Sequence, residues 1–130
     1  IKYSNRKIFE ERLLKLLKRN NIDLICLAGF MKILSSKFIK KFSKPIINIH
    51  PSLLPKYKGL NTHSRAIKNQ DKYSGATVHI VTEKLDSGKI IVQEKVKILK
   101  SDKENTLQKK VLKIEHTIYP KAIIKLLSNY

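Results

Sequence analysis

Apolar positions along the 130-residue chain follow a helical repeat in some stretches and a strand-like pattern in others. The helical repeat predicts helices over 6–20, from Ser35 or Ser36 to Phe42, near 63–69, and from 101 to about Leu127. Continuous or alternating apolar runs predict strands over 23–29, 46–50, 76–83 and 89–99. Helices that alternate with apolar strands are typical of a parallel sheet with crossover helices, so the pattern favours the α/β class.

Local signals indicate how the first and last helices pack and where the last one begins. The apolar stripe of the first helix is expected to hold Phe9, Leu13, Leu16 and Leu17. Ser101 and Glu104 have the spacing of a capping box, which predicts the start of the last helix. Pro120 lies inside that helix and is expected to kink or restart it.

The composition narrows the class of protein. With 42% hydrophobic residues the chain can build a core, which disfavours a disordered protein. No apolar run approaches the roughly 20 residues that span a bilayer, and no signal peptide opens the chain. The single cysteine, Cys26, lies in an apolar run, so we interpret it as inert core in a reducing, cytoplasmic compartment. Because the first residue is Ile1 rather than Met, we expect the chain to be a fragment.

The formal charge of +18 comes from 28 Lys and Arg residues against 10 Asp and Glu residues. Such an excess can indicate a nucleic-acid partner or anionic small molecules. The cations are almost all lysines, they are scattered along the chain, and no aromatic stacking platform accompanies them. We therefore interpret the charge as compositional background that still attracts anionic substrates, and a basic nucleic-acid-binding module stays open as an alternative.

Candidate chemistry lies where the predicted strand 46–50 breaks into a long Pro- and Gly-containing loop, a kind of loop that is often functional. Asn48 and His50 are two residues apart, so they project together from the carboxyl end of that strand, where ligands of α/β sheets bind. The amide can donate a hydrogen bond to a carbonyl oxygen, and the imidazole can exchange a proton near neutral pH. The structural alternative is that both side chains only satisfy backbone groups of the turn.

Three further polar residues have less specific settings. Asp86 lies in a Gly-containing turn between two strands, and spacing alone cannot place it beside His50. His63 and His79 match no metal-ligand spacing, so a structural or hydrogen-bonding role is favoured for both. The residues alone thus leave the composition of the site open.

Several segments together carry a family resemblance. They are Leu27-Ala-Gly-Phe-Met-Lys-Ile-Leu34, Asn48-Ile-His-Pro-Ser-Leu-Leu-Pro-Lys-Tyr-Lys-Gly-Leu60, Thr62-His63, Gly75-Ala-Thr-Val-His-Ile-Val-Thr82, Asp86-Ser-Gly88 and Glu115-His-Thr-Ile-Tyr-Pro120. Because it carries these segments in this order, the chain resembles the phosphoribosylglycinamide formyltransferases, which are folate-dependent enzymes of purine synthesis. The resemblance implies a Rossmann-like, mostly parallel sheet with flanking helices, of which residues 1–130 would be the C-terminal part of one catalytic domain, truncated at its N-terminus.

The resemblance also implies a reaction. A formyl group would pass from 10-formyltetrahydrofolate, as co-substrate, to the amine of glycinamide ribonucleotide, with no metal and no covalent enzyme intermediate. Asn48, His50 and Asp86 match the catalytic residues of the family. Asn48 and a protonated His50 would stabilise the developing oxyanion, and Asp86 would favour the imidazolium and help to move a proton through water.

The same matching implies binding residues for both substrates. Besides Asn48 and Asp86, the folate site would contain Arg6, Met31, Lys32, Ile33, Leu34, Thr82, Glu83, Lys84 and Leu85. Glu115 would contact the glycinamide end of the ribonucleotide. Lys32 stands where many relatives carry Arg and Asn61 where many carry His, which affects substrate contacts rather than the chemistry. The Gly-rich phosphate-binding loop of the family would precede Ile1, so we expect the chain to be catalytically incomplete alone.

Two other enzymes share part of this pattern. Methionyl-tRNA formyltransferase has the Asn-x-His-Pro-Ser-Leu-Leu-Pro core, and formyltetrahydrofolate deformylase, which passes the formyl group to water, shares the three catalytic residues. The first also carries a C-terminal RNA-binding domain, and relatives of the second differ around 51–55 and 59–63. Small-molecule substrates are therefore expected, with neither a membrane nor a nucleic-acid partner.

Overall fold

The computed structural model describes residues 3–129 of the chain. Four helices and four strands follow each other as α1 (Tyr3–Arg19), β1 (Ile25–Ala28), α2 (Ser36–Phe42), β2 (Ile46–His50), α3 (Thr62–Lys68), β3 (Tyr73–Ile80), β4 (Ile90–Lys97) and α4 (Glu104–Leu127). All eight elements were predicted, and β3 is the one whose limits moved most, beginning and ending three residues earlier. None of the helices in the described part of the chain is long and apolar enough to cross a membrane.

The strands form one sheet in the order β1-β2-β3-β4. β1 and β2 are parallel, as the alternation of helices and strands predicts, whereas β3 is antiparallel to both β2 and β4. The chain leaves β2 at His50, which pairs with Thr77, and α3 is only 7 residues long. A helix of about 10 Å is too short to return the chain to the end of the sheet where β2 begins. β3 therefore starts near the end of β2 and runs antiparallel to it. The predicted α/β class with flanking helices is confirmed, with a mixed pairing among the described strands.

Two apolar cores cover the two faces of the sheet. The larger contains Ile47, Ile49, Ala76 and Val78 of the sheet and Leu107, Val111, Ile118 and Ala122 of α4. The smaller contains Leu34, Phe38, Phe42 and Ile46, with Leu13 and Leu17 of α1 packed against it. Because neighbouring residues of a strand point to opposite faces, Ile47 and Ile49 bury against α4, and Asn48 and His50 project from the other face.

Three sequence-based interpretations of packing need correction. Cys26 is exposed rather than buried, because β1 is an edge strand in the described sheet and only its alternate residues are half-buried. Phe9 and Leu16 are exposed, so only part of the predicted stripe on α1 packs inward. The Lys32 ammonium lies 4.7 Å from the centre of the Phe9 ring and covers it only in part.

The start and course of α4 also differ from prediction. The helix begins at Glu104, and the hydroxyl of Thr106 accepts a hydrogen bond from the Lys103 N–H at 2.8 Å. Asp102 accepts a bond from the Thr106 hydroxyl at 3.0 Å, so these two residues, and not Ser101 and Glu104, organise the N-terminus. The helix continues through Pro120 without restarting, since tertiary packing on both sides of it outweighs one missing backbone donor.

Candidate active site

A cleft of about 570 Å³ opens at the carboxyl ends of β1 and β2. Its walls come from the segment after β1, the loop after β2, the turn before β4 and the inner face of α4. A smaller cavity of about 70 Å³ adjoins it and shares several of its lining residues, among them Asn48 and Asp86. Clefts at strand ends are the usual binding sites of α/β sheets, and the larger volume suits a small organic ligand.

His50 and Asp86 meet in this cleft although they are far apart in sequence. Imidazole Nδ1 of His50 lies 3.5 Å from carboxylate Oδ2 of Asp86, and both residues are buried. Nε2 of His50 donates a hydrogen bond of 2.8 Å to the carbonyl oxygen of Tyr57, and Oδ2 of Asp86 accepts one of 2.9 Å from the Gly59 N–H. The loop after β2 therefore holds both groups, and Nδ1 is the imidazole nitrogen left for proton exchange.

His79 joins these residues and holds the Asn48 amide. Nδ1 of His79 donates to the Ile80 carbonyl at 3.0 Å, so Nε2 can accept from the amide of Asn48, 3.3 Å away. Nε2 also lies 3.7 Å from Oδ1 of Asp86. Burial lowers the pKa of His79, with the Ile80 carbonyl and Asp86 opposing that shift, so the neutral form is favoured. We call the set Asn48, His50, His79 and Asp86 the strand wall of the cleft.

The hydrogen-bonding role predicted for His79 is thus correct, but its place in the strand wall was missed. His79 is paired with Asn48 across the antiparallel β2–β3 ladder, which brings the two side chains onto the same face. Sequence spacing contains no information on that register. The signal that could have found it is the alternation within 75–80, which places His79 and Thr77 on one face of the strand.

The turn that carries Asp86 depends on two backbone features. Asp86 has a φ of 47°, a left-handed conformation that aspartate tolerates better than most residues. Gly88 packs so tightly against β3 that a Cβ atom there would lie 1.6 Å from the Ile80 carbonyl oxygen. A glycine is therefore required for the turn to bring the Asp86 carboxylate against the end of the sheet.

The residues predicted to bind folate are distributed over both cavities. Met31 lines the larger cavity, Lys32, Ile33 and Leu85 line both, and the smaller cavity is lined in addition by Leu34, Thr82 and Lys84. Glu83 and Arg6 are not among the lining residues of either cavity. Arg6 instead pairs with the buried Glu10 carboxylate, at 3.5 Å. Glu10 in turn accepts hydrogen bonds from the backbone N–H and the hydroxyl of Ser35, so it anchors the start of α2 to α1.

Across the cleft, α3 and α4 present a second polar surface. Its members are His63, Glu104, Gln108 and Glu115, which we call the helix wall. Burial raises the pKa of Glu115, and the charge of His116 opposes this only in part. Burial also lowers the pKa of His63, whose Nδ1 is buried without a hydrogen-bond partner in the described part of the chain. Asn61 lines the same cleft in a left-handed conformation, with a φ of 57°.

The strand wall brings an amide donor, an imidazole and a carboxylate to one place at the rim of the sheet. Such a set can stabilise negative charge on an oxygen and can move a proton through one bridging water. Among residues 3–129, no group of three or more His, Cys, Asp or Glu side chains is arranged to hold a metal ion. The amide, imidazole and carboxylate of the strand wall favour acid–base and oxyanion chemistry carried by side chains.

Comparison with known proteins agrees with this architecture. The chain is 41% identical over 121 residues to the phosphoribosylglycinamide formyltransferase of Escherichia coli (strain K12), a match that covers 93% of this chain and 57% of that protein. It is 44% identical over 121 residues to the human trifunctional purine biosynthetic protein adenosine-3, covering 93% of this chain and 12% of that protein.

A solved structure extends the comparison to the fold. The crystal structure of phosphoribosylglycinamide formyltransferase from Brucella melitensis superposes with a TM-score of 0.87 at 46% identity, covering 92% of this chain and 62% of that one. The formyltransferase fold expected from the resemblance is thereby confirmed, although the chain spans only part of the length of these relatives. A family model described as formyl transferase matches residues 1–123. The chain therefore belongs to the formyl transferase family.

Proposed function

We propose that this chain takes part in transferring a formyl group from 10-formyltetrahydrofolate to the amine of phosphoribosylglycinamide, in purine biosynthesis. The observation that carries the proposal is the approach of the His50 imidazole to the Asp86 carboxylate, at 3.5 Å, beside the Asn48 amide. The relatives described above, which bear the names of this enzyme and of a purine biosynthetic protein, support the choice of substrates. A cytoplasmic location agrees with this role and is part of the proposal.

The reaction needs one oxyanion and one proton transfer. The amine nitrogen attacks the formyl carbon, a carbon–nitrogen bond forms, and the carbonyl oxygen takes up negative charge. The Asn48 amide and the protonated His50 stabilise that oxygen. As the intermediate collapses, the bond from carbon to the folate nitrogen breaks, and the proton lost by the amine passes to that nitrogen. Asp86, through a water molecule, helps to carry it.

The two cavities have the character of a site for a flat, partly polar co-substrate. Phe30, Ile33 and Leu85 supply apolar surface. Thr82, Lys84 and Asp86 add polar residues to the lining of the smaller cavity. We propose that the folate is held by Met31, Lys32, Ile33 and Leu34 on one side and by Thr82, Lys84, Leu85 and Asp86 on the other. Arg6 and Glu83, which line neither cavity, stay predicted folate contacts on the family resemblance alone.

Glu115 suits the glycinamide end of the ribonucleotide. Its carboxylate is half-buried in the helix wall, and the loss of solvent disfavours the ionised form. An amine or amide N–H placed against this carboxylate would offset the loss of solvent with a hydrogen bond. The proposed role is therefore to orient the attacking amine toward the strand wall.

The chain spans 57% of the Escherichia coli enzyme. We propose, accordingly, that residues 1–130 form the C-terminal part of one catalytic domain. Activity is best assayed on a chimaera in which residues 1–127 replace the matching segment of that enzyme, with the isolated chain assayed beside it. Transfer by the chimaera and none by the isolated chain would support this division of the domain.

Three acceptors distinguish the candidate reactions. The chimaera and its His50→Ala variant are given 10-formyltetrahydrofolate with phosphoribosylglycinamide, with charged initiator tRNA, or with water alone. We expect His50-dependent formyl transfer to phosphoribosylglycinamide only. Formylation of tRNA, or release of formate at the same rate without an amine acceptor, would refute the proposed reaction in favour of the corresponding alternative.

A further inference from the structure

The loop after β2 contains a tyrosine in an unusual backbone conformation. Tyr57 has a φ of 55°, in the left-handed region that bulky residues rarely adopt. A residue stays there only when the surrounding contacts hold it, and such positions cluster at functional sites. Tyr57 is two residues from Gly59, which donates to Asp86, and its own carbonyl accepts from His50.

The side chain of Tyr57 is anchored from several directions. Its hydroxyl donates to Oδ2 of Asp71 at 2.6 Å and accepts from the amide of Asn69 at 2.9 Å. The Arg65 guanidinium carbon lies 5.0 Å from the centre of its ring, within the range of a cation–π contact. Asp71 is itself held by Lys56 at 3.1 Å. These contacts form a cage outside the cleft, and none of its members lines the cleft.

The cage also fixes the backbone on both sides of Tyr57. The Arg65 guanidinium donates to the carbonyl oxygens of Lys58 and Leu60, at 2.7 and 3.1 Å. The hydroxyl of Ser52 donates to the Lys56 carbonyl at 2.6 Å. The loop therefore cannot rotate its peptide groups without breaking contacts in the cage, which makes the Tyr57 carbonyl a rigid acceptor.

We propose that Tyr57 is a positioning residue for His50: its anchored side chain aims its carbonyl oxygen at Nε2, so that Nδ1 carries the reactive proton toward Asp86 and the cleft. The inference deepens the proposed function and rests on it for its catalytic consequence. An imidazole without this acceptor can exchange its tautomers and rotate its ring, and a small misplacement of a reacting group costs much of its effect. The hydroxyl of Tyr57, remote from the cleft, thus acts on the reaction through one backbone carbonyl.

The orientation of the imidazole is tested without any activity measurement. Long-range ¹H–¹⁵N spectra of the full chain report which ring nitrogen of His50 carries the proton. We expect Nε2 to carry a proton in every form of the unaltered protein, so that Nδ1 is the ring nitrogen that gains or loses one. We expect a mixture of tautomers in Tyr57→Phe, which keeps the ring and loses the hydroxyl. Tyr73→Phe is the matched control, because Tyr73 also has a cationic side chain, that of Lys95, over its ring but lies on β3 outside the cleft.

Substitutions at Asp71 separate anchoring from general destabilisation. Asp71→Asn keeps an oxygen that accepts from the Tyr57 hydroxyl, so it should retain the His50 spectrum. Asp71→Ala should give the mixed spectrum of Tyr57→Phe. Melting temperatures are measured alongside, and Arg65→Gln serves as a second route to the loosened loop if Asp71→Ala does not fold. Identical His50 spectra in Tyr57→Phe and Tyr73→Phe would overturn the proposal.

Kinetics of the chimaera test the catalytic consequence. Tyr57→Phe is expected to lower kcat on the order of tenfold with KM changed less than about twofold, because the cage does not line the cleft. Asp71→Asn should restore most of the rate. An unchanged kcat in Tyr57→Phe, in a protein whose His50→Ala variant is inactive, would also overturn the proposal. If the unaltered chimaera transfers no formyl group, the proposed reaction fails, and the spectra still decide whether Tyr57 orients His50.

Discussion

The two walls of the cleft differ in how completely their polar groups are satisfied. On the strand wall, each imidazole and the carboxylate have partners in neighbouring strands or in the loop after β2. On the helix wall, Glu115 is partly desolvated, and Nδ1 of His63 is buried without a hydrogen-bond partner among residues 3–129. Satisfied networks are rigid, whereas unsatisfied buried groups cost stability until a ligand supplies the partner. The strand wall is thus organised without a ligand, whereas the helix wall has polar groups that a ligand could satisfy.

The strongest test of the strand wall removes its carboxylate. We expect Asp86→Ala to reduce turnover by on the order of 10²-fold or more, because Nδ1 of His50 loses the group that faces it and the proton transfer loses its carrier. The measurement is the initial rate of formyl transfer by the chimaera. Asp23→Ala is the control, since Asp23 is exposed and pairs with Lys44 at the surface. Equal rates for the two variants would remove Asp86 from the mechanism.

A change at Gly88 tests whether the strand wall must be rigid. The added methyl group of Gly88→Ala would collide with the Ile80 carbonyl, so the turn that carries Asp86 must shift. We expect on the order of tenfold loss of kcat, together with a loss of about 1–3 kcal/mol of unfolding free energy measured in urea. Gly59→Ala is a useful comparison, because no atom lies within 4 Å of the added group there, and only its φ of 83° opposes it. A Gly88→Ala protein with full activity would show that the carboxylate tolerates displacement.

Neutralising Glu115 on the helix wall should stabilise the protein, whereas the Gly88→Ala change near the strand wall should destabilise it. Its pKa is raised above the ordinary 4.5, so the fold disfavours the ionised form and loses stability as pH rises through the folded pKa. Glu115→Gln removes this cost, and we expect its melting temperature at pH 7 to exceed that of the unaltered protein by a few degrees. At pH 4 the difference should vanish. KM for phosphoribosylglycinamide should rise at the same time, and a variant with lower stability at pH 7 would contradict the assignment of Glu115 to an unsatisfied wall.

The smallest expected effect concerns His63 of the helix wall and His79 of the strand wall. Burial lowers the pKa values of His63 and His79 below the ordinary 6.5, so the unfolded chain binds protons that the folded chain does not. Their stabilising contribution is present above pH 6.5 and is lost as pH falls toward the folded values, with a slope of at most about 1.4 kcal/mol per pH unit for each group. Urea unfolding between pH 5 and 7 measures this slope.

His63→Gln should flatten that dependence relative to the unaltered protein. The difference between the two proteins isolates titration at His63 from the titration of other groups, which both retain. A slope that is the same in both would show that folding does not lower the pKa of His63.

The sequence predicted some residues of the candidate site and missed others. Asn48 and His50 follow from the alternation of a strand that ends in a loop, because residues two apart share a face whatever the fold. The assignment of Asp86 to the same site as His50 came only from the family resemblance, since a turn residue can face in many directions. His79 and Tyr57 could not be assigned to the site at all. The contacts of His79 depend on the register of β2 with β3, and those of Tyr57 depend on a left-handed backbone conformation. No spacing of residues in the sequence encodes either feature.

The sequence by itself determined which segments become helices and strands, and which polar residues stand at the end of β2. Periodicity encodes those features locally, through the faces that must be buried. Tertiary structure alone decided that β3 runs antiparallel, that Cys26 is exposed and that α4 passes through Pro120. It also decided which wall of the cleft is satisfied and which is not. Each of these outcomes depends on contacts between segments distant in sequence, whose energies no local pattern contains.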